Sequence, residues 1–143
     1  MVYPFIKIIP NDDLLVFELV LALIMQYQQA WYEGYPAEPL VVLNAVEQIL
    51  EKEDPKLLSH LRQNSFTPQI YAWPLLQSLF TEVLSKGDWL KLFDHLFTYK
   101  DDPELILFYT AAFLIVNRNF LVSQVFSIED MIAFQSKTTS FSF

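Results

Sequence analysis

The sequence predicts an all-α fold, a multi-helix bundle. Three observations carry this: glycine is almost absent, proline recurs directly after helix-capping residues, and apolar residues recur at helical spacing. Only 2 of the 143 residues are glycine. Tight β-turns draw on glycine for positive φ, so a sandwich or barrel would want many more. The same scarcity excludes phosphate-cradling loops of the Rossmann or P-loop kind, since Gly34 and Gly87 stand far apart.

Proline marks the helix starts. Asp54-Pro55, Thr67-Pro68 and Asp102-Pro103 each place a capping oxygen before a proline at the first helical position, where its missing N–H costs nothing. Glu38-Pro39 is a weaker version, and Ser127 with Asp130 forms a capping box. These signals predict seven helices. The first runs from about residue 12 to 32, capped by Asn11. The second spans about 39–52 and the third 55–63. The fourth spans 68–84, broken or kinked near Pro74. The fifth covers 88–98, the sixth 103–116 and a short seventh 128–135. Residues 1–143 are read as a single helical domain, ordered over about 11–135, with a small polar tail at 136–143 that frays.

Periodicity supports the assignment. In the second helix Asn44, Glu47, Gln48 and Glu51 form a polar face opposite Leu43, Val46 and Leu50. In the fifth, Lys91, Asp94, His95 and Thr98 oppose Trp89, Leu92, Phe93, Leu96 and Phe97. The first helix is apolar all round from Leu14 to Met25, so it must be surrounded. Either it is central here, or it packs on something outside this chain, in which case a homodimer or partner contact through Leu14–Met25 is expected. The apolar run Leu105–Val116 is shorter than the ~20 residues a membrane-spanning helix needs and reads as a buried core helix.

Composition narrows the function. Hydrophobic residues make up 53% and aromatics 16%, enough for a sizeable core and too many for a disordered chain. The formal charge of −8 disfavours nucleic acid and anionic membrane surfaces as partners. Without cysteine there is no disulfide, thiol nucleophile or thiolate metal site, which fits a cytoplasmic location. The N-terminus lacks the basic and small-residue pattern of a signal peptide.

Candidate chemistry is sparse. His60 reads as a solvated surface histidine, since neighbouring Ser59 points about 100° away on a helix. His95 beside Asp94 and Lys91 has no second histidine at metal-ligand spacing and reads as part of a surface charge cluster. The carboxylates Glu51, Glu53, Asp54 and Asp101, Asp102, Glu104 sit at helix junctions, where they complement the dipole. Arg62 and Arg118 are the only arginines. Each ends a helix, a structural position, although an arginine can also serve phosphoryl transfer. No catalytic residue, metal site or cofactor is assigned.

The stretch Tyr71-Ala72-Trp73-Pro74-Leu75-Leu76, then Leu79-Phe80, then Trp89-Leu90-Lys91-Leu92-Phe93-Asp94, resembles the TBC domain, the Rab GTPase-activating module. Tyr71, Ala72, Leu76, Leu79, Phe80, Leu90 and Asp94 match the family's pattern, and Lys91 and Phe93 are similar substitutes. Pro74 and Leu75 stand where that pattern has Arg-Trp, as in the divergent TBC domains of WD-repeat-containing TBC proteins, which also share Trp73 and Trp89. The resemblance covers about Asn11 to Val116 and implies the C-terminal lobe of the domain.

That subgroup implies a scaffold linked to the centrosome or cilium base, with protein partners that include a Rab GTPase. The family's chemistry needs an arginine in Ile-x-x-Asp-x-x-Arg and a glutamine in Tyr-x-Gln-Gly, both in the first half of the domain. Here Ile9-x-x-Asp12-x-x-Leu15 lacks the arginine, and Tyr27-Gln28-Gln29 is followed by Ala30 instead of glycine. No catalytic role passes to Asp12, Tyr27 or Gln29. The resemblance therefore implies a non-catalytic interaction lobe. Its alternative is the supporting lobe of an active Rab GTPase activator whose fingers lie outside this chain.

Overall fold

The computed structural model describes residues 3–32 and 36–136, with no side-chain description for Ala30. The described residues form α-helices and turns, with no strand. In chain order they are α1 (Tyr3–Ile8), α2 (Asp13–Leu23), α3 (Leu40–Glu53), α4 (Pro55–Gln63), α5 (Pro68–Tyr71), α6 (Trp73–Gln77), α7 (Lys86–Thr98), α8 (Leu105–Val116), α9 (Arg118–Gln124) and α10 (Ile128–Gln135). A π-helical turn, Ile24–Gln28, and a 3-10 turn, Gln29–Trp31, prolong α2. The polar tail expected to fray lies almost wholly outside the described residues, which end at Ser136.

The amphipathic helix α3 is the hub. It packs on α8, α4 and α5, and its Leu43, Val46 and Leu50 are fully buried, as the heptad-like spacing predicts. Around it α9 lies on α4, and α10 on α5. α1 docks by Phe5, whose ring meets Trp89, Phe93 and Phe97 of α7 edge-on, with centroids 5.2–6.5 Å away. Its six residues escaped the sequence reading because so short a helix has too few turns to show a period.

Several boundaries differ from expectation for identifiable reasons. Asp12, not Asn11, caps α2: its Oδ1 accepts from the Leu15 amide at 2.9 Å. Pro68 opens α5 as expected, but the Thr67 side chain makes no capping bond. Pro39 takes the cap position of α3 rather than its first turn. Asp102 Oδ1 accepts from the Glu104 amide, a local turn that delays α8 to Leu105. Beyond Val116 the chain re-enters a helix, α9, which the polar Asn117-Arg118-Asn119 had masked. The Ser127–Asp130 capping box is present, and α10 spans the expected residues.

The predicted fourth helix breaks at Ala72, two residues before Pro74 in the first turn of α6, and stops at Gln77. α4 and α6 then end alike. Phe66 N–H donates to Leu61 O and Ser65 N–H to Arg62 O; Phe80 N–H donates to Leu75 O and Leu79 N–H to Leu76 O. Both are Schellman motifs, with left-handed Ser65 (φ 60°) and Leu79 (φ 52°) where glycine is usual, and after α6 Phe80 (φ 61°) is left-handed as well. A chain this poor in glycine accepts the strain, about 1–2 kcal/mol per residue, to bury Phe66 and Phe80 beneath each turn.

Neither of the two most apolar helices is surrounded: the sequence left this open for α2, whereas α8 was expected to be a buried core helix. α2 turns Val16, Val20 and Leu23 inward, but Leu14 (67% exposed), Phe17 (62%), Leu21 and Met25 (61%) form an open stripe. α8 buries Ile106, Thr110, Ala111 and Leu114, while Phe108, Ala112 and Val116 (81% exposed) face out. α8 is therefore not enclosed. No single helix among the described residues is long and apolar enough to cross a membrane.

Candidate functional site

The residues singled out by sequence converge on the seam between α5–α6 and α7, where they build structure. Tyr71, Ala72, Leu76, Phe80 and Trp89 are buried. Trp89 Nε1 donates to Leu79 O at 2.8 Å, holding the strained turn against α7. Trp73 is half-buried and meets Trp31 edge-on at 5.7 Å. Leu90 and Asp94 are exposed on α7 and lie outside this seam's core.

The Tyr71 hydroxyl is buried without a hydrogen-bond partner. Burial, then the nearby Glu47 carboxylate, push its pKa well above the usual phenol range, against the opposing pull of Arg62. It stays protonated at physiological pH and cannot serve as a base. Gln135 of α10 reaches back to donate to Ile70 O and Tyr71 O at 2.8 and 3.2 Å, satisfying carbonyls at the α5–α6 break.

Both arginines are engaged. Arg62 donates to Glu47 at 3.2 Å and lies 3.5 Å from Glu51, joining α4 to α3. Arg118 opens α9 instead of ending α8, and its Nη1 stands 3.0 Å from Asp54 Oδ2. That oxygen lacks an aligned hydrogen bond, so the contact is chiefly Coulombic. Asp54 Oδ1 meanwhile caps α4 through the Leu57 amide. His60 is not a solvated surface residue: Nε2 lies 3.2 Å from Val125 O and the ring meets Phe126 edge-on. His95 is exposed and stacks edge-on against Tyr99.

The two motif look-alikes are structural. Asp12 caps one end of α2. Tyr27, about 15 residues and so roughly 20 Å along the helix, donates to Leu96 O at 2.6 Å and anchors the C-terminus of α7. Burial and then Asp102 raise its pKa. Gln29 is exposed. Asp12 and Gln29 therefore cannot meet at one phosphate. Among the described residues no group of three His, Asp or Glu side chains could hold a metal ion.

The family profile of the Rab-GTPase-TBC domain matches residues 2–122, most of the chain. The chain belongs to this family. Among curated proteins it is similar to TBC1 domain family member 31 from human (39% identical over 121 residues, 85% of this chain). The cattle protein of that name is 40% identical over 116 residues, 81% of the chain, and the medaka one 40% over 120 residues, 84%. The chain spans about 11% of the length of these relatives. No solved structure matches it closely.

The TBC signature in this chain is thus a packing device: Trp89 ties α7 to the turn after α6, and Phe80 packs edge-on against Tyr109 and Phe113 of α8. Sequence reasoning left the α2 stripe as one of two alternatives. It missed the other open surface, a cleft of about 670 Å³ between α7 and α8. The available signal for both was a helix apolar on every side, which reads equally as a buried core helix or as a helix awaiting a partner.

Proposed function

We propose that this chain is a non-catalytic protein-interaction lobe of a TBC domain, the C-terminal part, supplying binding surface and rigid support. The observation that carries this is the open α2 stripe of Leu14, Phe17, Leu21 and Met25, a contiguous exposed apolar face of the kind that drives association. Occupation of Arg62 and Arg118 by Glu47, Glu51 and Asp54 supports it, because neither guanidinium is free to meet a transferring phosphate. The partners are proteins, including a second copy of the chain through α2. The setting is a cytoplasmic adaptor at the centrosome or cilium base, a location that imaging of the tagged parent protein would test.

A second reading is favoured by the family match itself: the chain as supporting lobe of an active Rab GTPase activator whose arginine and glutamine fingers lie elsewhere in the longer protein. GTP hydrolysis by a panel of Rab GTPases, with the full-length parent added, separates the two. The interaction-lobe reading expects no acceleration. Robust acceleration abolished by substituting one arginine of the parent would overturn it.

A further inference from the structure

α7 and α8 follow one another in the chain, yet their backbones do not come into the close contact that α8 makes with α3. The gap is the 670 Å³ cleft, walled by Leu92 of α7 and by Leu105, Tyr109, Ala112, Phe113 and Val116 of α8. The exposed stripe Phe108–Ala112–Val116, at i, i+4 and i+8, carries this apolar surface out to solvent.

The rim is acidic. Lys91 is engaged with Asp88 at 3.3 Å, which leaves Asp94 with no ion pair among the described residues. The loop that joins α7 to α8 beyond this end carries exposed Asp101 and Asp102 against the single Lys100, while Glu104 borders a separate hollow beside Tyr27. Burial, then the Asp88 carboxylate, raise the Tyr109 phenol.

The shape selects among occupants. From Leu105 to Val116 the wall is about 17 Å long, three helical turns. No strand edge exists among the described residues for an extended peptide to pair with, whereas a helix laid between splayed helices buries an i, i+3, i+4, i+7 stripe. A small molecule would find few polar groups to orient it.

We propose that the α7–α8 cleft is a docking groove for a basic amphipathic helix of a partner protein, with its apolar stripe on α8 and its Lys or Arg side chains facing Asp94, Asp101 and Asp102. This rests on the interaction-lobe reading and adds the partner's chemistry.

The test titrates the 143-residue chain with a labelled synthetic peptide of about 12 residues, leucine at helical spacing and lysine elsewhere, and with its glutamate counterpart. Saturable binding is expected for the lysine peptide, at least about tenfold tighter than for the glutamate one. Ala112→Glu, at an exposed site in mid-groove, should weaken it about tenfold with an unchanged circular dichroism spectrum. Because that variant adds negative charge, mere electrostatic adsorption would tighten instead.

No binding, equal binding of both peptides, or unchanged or tighter binding by Ala112→Glu overturns the proposal. So does loss of binding in Phe17→Glu, which would move the site to α2. Self-association of the chain abolished by Ala112→Glu would assign the groove to a second copy and also overturn it. A positive Rab hydrolysis assay would overturn the interaction-lobe reading without altering peptide binding, so the two failures are distinguishable.

Discussion

The Trp89 indole N–H donates to the carbonyl of Leu79 across 2.8 Å, and both residues are buried. Leu79 holds a left-handed φ of 52°, so the bond secures the strained end of α6 from the first turns of α7. Trp89→Ala should cost about 3–5 kcal/mol, as for a fully buried large aromatic. Trp89→Phe keeps most of the packing with Phe5 and Phe93 but strands the Leu79 carbonyl, at about 1–3 kcal/mol. Urea unfolding should order the chains as wild type, Phe, Ala; a Trp89→Phe variant as stable as wild type would show that the hydrogen bond carries nothing beyond the ring.

Ser65 occupies the same left-handed position at the end of α4, but its side chain is exposed. Ser65→Gly therefore relieves strain without opening a cavity and should stabilise by about 0.5–1 kcal/mol, seen as a rise in Tm. Leu79→Gly relieves similar strain but removes a buried side chain, and should destabilise. A destabilising Ser65→Gly would contradict the strain assigned to that turn.

Arg118 neutralises Asp54, whose side chain is only 6% exposed against 42% for the arginine. Removing the cation leaves a buried carboxylate facing α9. Arg118→Ala should cost about 2 kcal/mol, below the roughly 3–5 kcal/mol of a fully buried pair because water reaches the guanidinium side. The double variant Arg118→Ala/Asp54→Asn should recover part of the loss. Strict additivity in that cycle would mean the two groups do not interact.

Asp130 closes the capping box of α10. The backbone amide of Phe126, then the Ser127 side chain and amide, hold its pKa below the ordinary 3.8. A depressed carboxyl contributes stability above its unfolded value that is lost as pH falls through the folded one. The chain should therefore lose stability on acidification from about pH 4 downward, and Asp130→Asn should flatten that limb while leaving the slope near neutrality unchanged. An identical acid limb in the variant would count against this role.

The α2 stripe predicts association. Light scattering should give a mass above that of the monomer for the wild type, and Phe17→Glu or Leu21→Glu should shift it toward monomer without loss of helicity. A monomeric wild type at the highest soluble concentration would contradict the proposed contact.

Much of this was legible along the chain. Asp54-Pro55, Ser127 with Asp130, and the periodic faces of α3 and α7 act within one or two turns, so local order alone specifies them. The scarcity of glycine excluded β-rich and phosphate-loop folds, and the Tyr71–Asp94 motif placed the chain among TBC domains. The absence of finger residues from the two look-alike motifs was equally readable.

Tertiary structure decided what each apolar surface touches. A helix that is apolar all round has no preferred face, so nothing in Leu14–Met25 or Leu105–Val116 says which side meets the core. The neighbours decide. α3 covers one side of α8 and leaves Phe108, Ala112 and Val116 open beside a splayed α7. Long-range contacts are invisible to sequence for the same reason: Arg118 with Asp54, Tyr27 with Leu96, Gln135 with Ile70 and His60 with Val125 are each joined across more than 60 residues. Local sequence therefore determined the capped starts of α4 and α10 and the inward faces of α3 and α7, while packing determined which apolar faces are left to bind.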